Sequence, residues 1–368
     1  MQETIEKIEK DEQDGNIDSG SWEQVATGVY RLKVVMVNVY FVGESSDNWV
    51  LVDAGLAGSA DTIKKAAEEI YGEGAKPRCI VLTHGHFDHV GALKELSDEW
   101  NVTVYAHQLE MPYLIGLSDY PPADPTVGGG LMALSSFMYP SSPIDMGERV
   151  EEFPADSDAP GMEDWIILET PGHSPGHVSF FRASDKVLIV GDAFVTTKQE
   201  SAFSVLTQKK ELNGPPMYFT PDWQKAEDSV KKLAMIKPEV AATGHGIPMR
   251  GDELYEQLQD LAQNFRELAV PSHGRYVDSP AVADIAGVVS VPPPAGPSPR
   301  MIAGATAFAL GAAGALLMMS MRQRGSKPYS YGNARKEEDF QQSLPSGNRN
   351  SLPPRRNREL AEENERND

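Results

Sequence analysis

Four short apolar runs in this chain each end in glycine beside a metal-capable residue, and this recurrence constrains the fold more than any other feature. The densest case follows Cys79-Ile80-Val81-Leu82. There, Thr83-His84-Gly85-His86-Phe87-Asp88-His89 packs three imidazoles and a carboxylate into six residues. An apolar run that stops at Thr-His-Gly-His reads as a buried strand entering a loop. Neutral imidazole nitrogen and carboxylate oxygen are the donors that borderline divalent metals prefer. Four donors so close in sequence cannot all face one ion: His84 and His86 can point one way, Asp88 and His89 the other. The segment therefore predicts two adjacent ions. Three further runs supply the remaining donors. Trp165-Ile166-Ile167-Leu168 leads to Pro171-Gly172-His173-Ser174-Pro175-Gly176-His177, Val187-Leu188-Ile189-Val190 to Gly191-Asp192, and Val240-Ala241-Ala242-Thr243 to Gly244-His245-Gly246. Glycine lets the backbone turn tightly at each strand end. Four ligand-bearing strand ends converge naturally at one edge of a sheet.

The pattern His-x-His-x-Asp-His, followed by His, Asp and His at strand ends, resembles the metallo-β-lactamase superfamily of hydrolases over roughly residues 20–276. The resemblance implies an α/β fold, a four-layer αββα sandwich. By it, His84, His86 and His173 would hold one metal and Asp88, His89 and His245 the second. Asp192 and a hydroxide would bridge them, with Asp88 and Asp192 as the catalytic carboxylates. The segments Val37–Val42 and Val50–Gly55 look like the paired strands that open this fold. Asp53 in the Asp-Ala-Gly turn would then orient a ligand histidine rather than bind metal. The implied cofactor is a pair of divalent ions, zinc by donor type, with iron or manganese compatible with the same set. The implied reaction is hydrolysis of an ester-like carbonyl, in a lactone or thioester, of a small molecule. Relatives that hydrolyse β-lactams usually lack the bridging aspartate, which Asp192 supplies here. Lactonases of the superfamily carry tyrosine three residues after that aspartate, where this chain has Val195. Tyr218 is the candidate to reach substrate in its place. Two alternatives stand beside this reading: a membrane-tethered, non-catalytic scaffold with a structural metal site, and β-lactam or phosphodiester hydrolysis.

Other features place limits on the reading. His107 reads as a packed histidine, His177 as loop-stabilising, and His273 has no role. The single cysteine, Cys79, permits no internal disulfide and reads as a small buried apolar residue. The chain's net charge is −21. Residues 322–368 hold ten Lys/Arg and eight Asp/Glu, a net +2, which leaves −23 on residues 1–321. An acidic body repels phosphate backbones, which argues against a nucleic-acid partner and for a small substrate.

The expected organisation is a flexible acidic extension over 1–19, a catalytic domain over 20–276, and a proline-rich spacer over 277–300. A transmembrane helix is expected over 301–321 and a disordered polar tail over 322–368. The twenty-one uncharged residues from Met301 to Met321 have the length of a bilayer span. Arg322, Arg324 and Lys327 place the tail in the cytoplasm by charge. The lack of an N-terminal signal-like segment favours a cytoplasmic enzyme domain instead. Helices are expected at Asp61–Tyr71, Ala92–Trp100, Trp223–Ile236 and Leu254–Leu268, with Asp222 as an N-cap. The long segments 112–147 and 196–220 read either as lids over an apolar pocket or as packing and dimer contacts.

Overall fold

The computed structural model describes residues 17–155 and 158–296. Its first sheet opens as an antiparallel meander of β1 (Trp22–Ala26), β2 (Val29–Val34), β3 (Val37–Ser45) and β4 (Asn48–Val52). It continues in parallel through β5 (Ile80–Val81), β6 (Val104–Ala106) and β7 (Val150–Glu152). Parallel neighbours need crossover connections. Helix α1 (Ala60–Tyr71) joins β4 to β5, and α2 (Phe87–Val90) with α3 (Leu93–Trp100) joins β5 to β6. Helices α4 (Met111–Leu114) and α5 (Leu131–Ser135) lie on the way to β7. The second sheet holds β8 (Trp165–Glu169), β9 (Val178–Arg182), β10 (Val187–Gly191), β11 (Val240–Thr243) and β12 (Met249–Arg250), in the order β12-β11-β10-β9-β8. Between β10 and β11 run α6 (Ala202–Thr207) and α7 (Trp223–Met235). After β12 come α8 (Gly251–Gln263) and α9 (Phe265–Leu268).

Residue alternation shows why the central strands read as unbroken apolar runs. In β3, Val39 and Phe41 pack with Ile63 of α1 and Leu93 and Leu96 of α3, whereas Tyr40 and Val42 face the other sheet. In β10, Val187 and Ile189 face the first sheet, and Leu188 and Val190 pack on α7 and α8. A strand buried on both faces carries no polar alternation. The layers are therefore helix, sheet, sheet, helix, as expected. Helix α7 buries Trp223, Ala226, Val230 and Leu233 on one stripe. The Asp222 side chain caps it by accepting from the Lys225 N–H at 3.0 Å. Cys79 is buried, its Sγ 3.3 Å from the Pro160 carbonyl oxygen, and burial pushes its thiol up to about 12. It is inert packing rather than a nucleophile.

The chain does not turn into an extended spacer after Tyr276. A hairpin of β13 (Val282–Asp284) and β14 (Gly287–Ser290) follows, turned by an Asp284 side chain that accepts from the Ala286 N–H at 2.7 Å. The Ala281 N–H donates to the Pro221 carbonyl at 3.0 Å, the Val288 N–H donates to Ser118 Oγ at 3.1 Å, and Ala281 and Val291 pack on the second helical layer. The Val-Ala-Asp-Ile-Ala-Gly-Val segment carries a turn signal that its proline-rich flank obscures. Among the described residues no helix is long and apolar enough to cross a membrane. Residues 297–300 of the expected spacer, the span expected at 301–321, the tail at 322–368 and residues 1–16 of the acidic extension lie outside the described residues.

Candidate metal centre

The four ligand loops leave the sheets at β5, β8, β10 and β11, and they meet at one end of the sandwich. His84 follows β5, and His86 stands at the residue before α2, which carries Asp88 and His89 on one turn. His173 lies between β8 and β9, Asp192 directly after β10, and His245 just after β11. All seven are buried. Three sets of donor atoms lie within 4.8 Å of one another: His84, His86 and His173; Asp88, His89 and His245; and His84, His89 and Asp192. Asp192 joins the first two sets. Its Oδ2 is 3.1 Å from His245 Nε2 and 3.5 Å from His173 Nε2, and its Oδ1 is 3.7 Å from His89 Nε2.

These residues fit a pair of divalent ions. His84 Nε2, His89 Nε2 and Asp192 Oδ1 are buried without a hydrogen-bond partner, which is costly unless a cation completes the site. His86 Nδ1 lies 2.9 Å from His173 Nε2. That is a hydrogen-bond distance, shorter than the roughly 3.4 Å between two ligands ~2.1 Å from one tetrahedral ion, so an ion would have to part the two rings slightly. The outward nitrogens are already engaged. His89 Nδ1 meets Asp53 Oδ2 at 2.8 Å, His84 Nδ1 meets Thr83 Oγ1 at 3.0 Å, and His245 Nδ1 meets the Met36 carbonyl at 2.7 Å and Gln199 Nε2 at 3.0 Å. Such partners aim each ring at the centre. Asp53 also accepts from the Thr83 N–H and hydroxyl, both at 2.8 Å, from a backbone at φ 63°. A non-glycine residue held there is a strained feature of the kind found at functional sites. Its place is behind His89, as expected.

The electrostatics divide the site. Burial, reinforced by neighbouring imidazoles, holds His84 and His173 well below the usual histidine range, and burial brings His86 down to about 4. Burial also opposes charge on His245, but Asp192 and Asp88 outweigh it and push that histidine up to about 10. His89 rises for the same reason through Asp53 and Asp192. Without metal, burial thus favours neutral imidazoles in the first triad, while the neighbouring carboxylates favour protonated His89 and His245, whose protons a cation would displace.

His177 is fully buried. Its Nδ1 lies 2.9 Å from Thr170 Oγ1, and its Nε2 accepts from the Asp192 backbone N–H at 2.9 Å, so it sets where Asp192 begins rather than touching substrate. His107 Nδ1 accepts from the Leu109 N–H at 3.2 Å, and His273 Nε2 donates to the Gly296 carbonyl at 2.7 Å. Tyr218 is buried on a 3₁₀ turn over 217–219. Burial, with the nearby charges of Asp88 and Glu200, holds its phenol protonated. The long segments 112–147 and 196–220 pack on each other: Ala133, Tyr218 and Phe219 form a small core with Phe87, Val127, Met132 and Tyr139. The His86 ring lies between Tyr120 and Phe219, at centroid distances of 4.7 and 4.8 Å. Sequence reasoning missed Tyr120, Phe219, Gln199 and Glu110. No local pattern marks them, because each reaches the site from a distant loop.

A family model described as the Metallo-beta-lactamase superfamily matches residues 32–245. The probable metallo-hydrolase YflN of Bacillus subtilis (strain 168) is 45% identical over 255 residues, which cover 69% of this chain and 97% of the relative. The hydroxyacylglutathione hydrolase GloC of Haemophilus influenzae is 27% identical over 157 residues, 42% of this chain and 65% of the relative. Among solved structures, the BLEG-1 B3 metallo-beta-lactamase aligns with a TM-score of 0.44 at 21% identity, covering 65% of this chain and 97% of that one.

Proposed function

The chain belongs to the metallo-β-lactamase superfamily and is a metal-dependent hydrolase; on that premise we propose that it holds two zinc ions and hydrolyses an ester-like carbonyl, a lactone or thioester, of a small molecule. The observation that carries the reading is Asp192, whose carboxylate stands between the donors of both triads. The all His/Asp donor set suits zinc. The name of the Haemophilus influenzae relative, a hydroxyacylglutathione hydrolase, supports an acyl substrate.

Two bound ions would supply an acidified water and polarise the substrate oxygen. The chain's own residues do the rest. Asp88 and Asp192 offset the ions' charge and, as the carboxylates at the reacting centre, accept hydrogen bonds from the attacking water. His177 fixes Asp192 through its backbone, and Asp53 fixes His89. The protonated Tyr218 hydroxyl donates to the substrate, the role that Val195 cannot fill. Phe87, Tyr139 and Phe219 form an apolar wall that thins water around the carbonyl.

The test is a panel of lactones, thioesters, β-lactams and phosphodiesters offered to the zinc-replete full chain, with Asp192→Asn beside it. Turnover of lactone or thioester that falls ~10–100-fold in the variant, at unchanged folding, is the expected result. Turnover confined to β-lactams or phosphodiesters, or full metal content with no turnover of any acyl substrate, would overturn the proposal.

A further inference from the structure

We infer that Glu110 is a positioning residue that sets the spacing of the first metal triad by clamping its two ligand loops to one carboxylate. The side chain is 1% exposed, and both oxygens are saturated by donors from other elements. Oε2 accepts from the Gly85 N–H at 3.0 Å and from the Tyr120 hydroxyl. Oε1 accepts from the Gly176 N–H at 2.7 Å and the Ser174 hydroxyl at 2.8 Å. Gly85 lies between His84 and His86. Ser174 follows His173, and Gly176 precedes His177. One carboxylate thus ties the loop that carries two donors of the triad to the loop that carries the third.

No other group can replace this carboxylate without loss. All four partners are donors, and only an ionised carboxylate offers two acceptor oxygens, each with two lone-pair sites. Charge-assisted hydrogen bonds of this kind are among the stronger and shorter ones. The space around the clamp is also closed. A Cβ on Gly176 would sit 2.9 Å from Glu110 Cγ and 2.7 Å from His107 Nδ1, and one on Gly85 would overlap the Tyr120 hydroxyl. Glycine at both positions is what allows the carboxylate to reach the two backbones. Tyr120, stacked on Tyr113 at 3.8 Å and edge-on to His86, brings the long 112–147 segment into the same clamp. Ligand distances must hold to about 0.2 Å for coordination, so the spacing of the two loops is a direct determinant of affinity at His84, His86 and His173. The other triad has its own support in Asp53 and the Met36 carbonyl.

This inference rests on the two-ion reading of the site, and the experiment separates the two. The full chain, stripped of metal, is titrated with cobalt(II) and followed by visible absorption, in the wild type and in Glu110→Gln. The same pair is measured in a His245→Ala background, which isolates the first triad. A glutamine is close in shape but places an NH₂ against two donors on one side of the clamp. The expected result is a ~10–100-fold weaker first site, a level seen when outer partners of ligands are removed, with the second site unchanged. Tyr120→Phe and Ser174→Ala each delete one of four donors and should weaken the first site by less; they carry the test if Glu110→Gln does not fold. Equal weakening of both sites would show a general structural role and overturn the inference, as would unchanged affinity at both. A wild type that binds fewer than two ions would instead refute the two-ion reading, whatever the variants do.

Discussion

Gly244→Ala should remove metal from a protein that otherwise remains folded. A Cβ built on Gly244 would overlap Asp192 Oδ1 and lie 2.9 Å from His89 Cε1. Something must move, and the backbone cannot easily do so. The Gly244 N–H donates to the Gly191 carbonyl at 2.8 Å, and the Gly244 carbonyl accepts from the Asn38 N–H at 2.8 Å, which pins the residue on both sides. Asp192 must therefore swing away by on the order of 1 Å, several times the ~0.2 Å tolerance of a coordination bond. The overpacking itself costs roughly 1–3 kcal/mol, which a domain with three large apolar cores can absorb. The loss of the shared carboxylate is the larger effect. Metal affinity and turnover should each fall ~10–100-fold or more. The assay is elemental analysis after equilibration with limiting zinc, together with hydrolysis of the best acyl substrate. Thermal unfolding of the metal-free protein serves as the folding control, and Gly296→Ala, where an added Cβ meets nothing within 4 Å, as the neutral control. Wild-type metal content and turnover in Gly244→Ala would refute the placement of Asp192 between the two triads.

Three further outcomes follow from the same geometry. Asp53→Asn turns one acceptor behind His89 and Thr83 into a donor, so binding at Asp88, His89 and His245 should weaken ~10–100-fold in a chelator-competition titration, and an unchanged constant would show that His89 needs no orienting partner. Because His245 is raised to about 10 in the metal-free protein, a cation must displace its proton at neutral pH; affinity should rise with pH up to that value and fall as pH drops. Calorimetry at neutral pH in two buffers of different ionisation enthalpy should detect about one proton or more released, and none released would contradict the charged His245. A chain ending at Tyr276 loses the hairpin, the hydrogen bonds from Ala281 to Pro221, from Val288 to Ser118 and from His273 to Gly296, and the packing of Ala281 and Val291, so it should melt several degrees below one ending at Gly296. Equal melting temperatures would mean that the hairpin contributes nothing.

What the sequence disclosed about this site depended on chain distance. The seven candidate donors could be picked out because each stands beside a strand whose apolar run marks its end. His84 to His89 fall within six residues, and His173, Asp192 and His245 each follow a run that announces them. The layers were legible for the same reason: Val39 and Phe41 differ from Tyr40 and Val42 only in which face they bury, so an unbroken run signals two covered faces. The groups that hold the donors in place leave no such mark. Glu110 reaches Gly85 across 25 residues of chain and Ser174 and Gly176 across 64 and 66, and Asn38 reaches Thr243 across 205. Gln199 and Phe219 arrive from a segment with no periodicity to read. The hairpin after Tyr276 shows the opposite failure. Its turn signal is local and present, but the prolines beside it pointed to an extended spacer. Donor identity is thus a local property that chemistry demands at one position. Donor spacing is set by hydrogen bonds between loops that only the folded sheets bring together. The first can be read along the chain, while the second makes the constellation bind metal, which is why the decisive substitutions at Gly244 and Glu110 change no ligand.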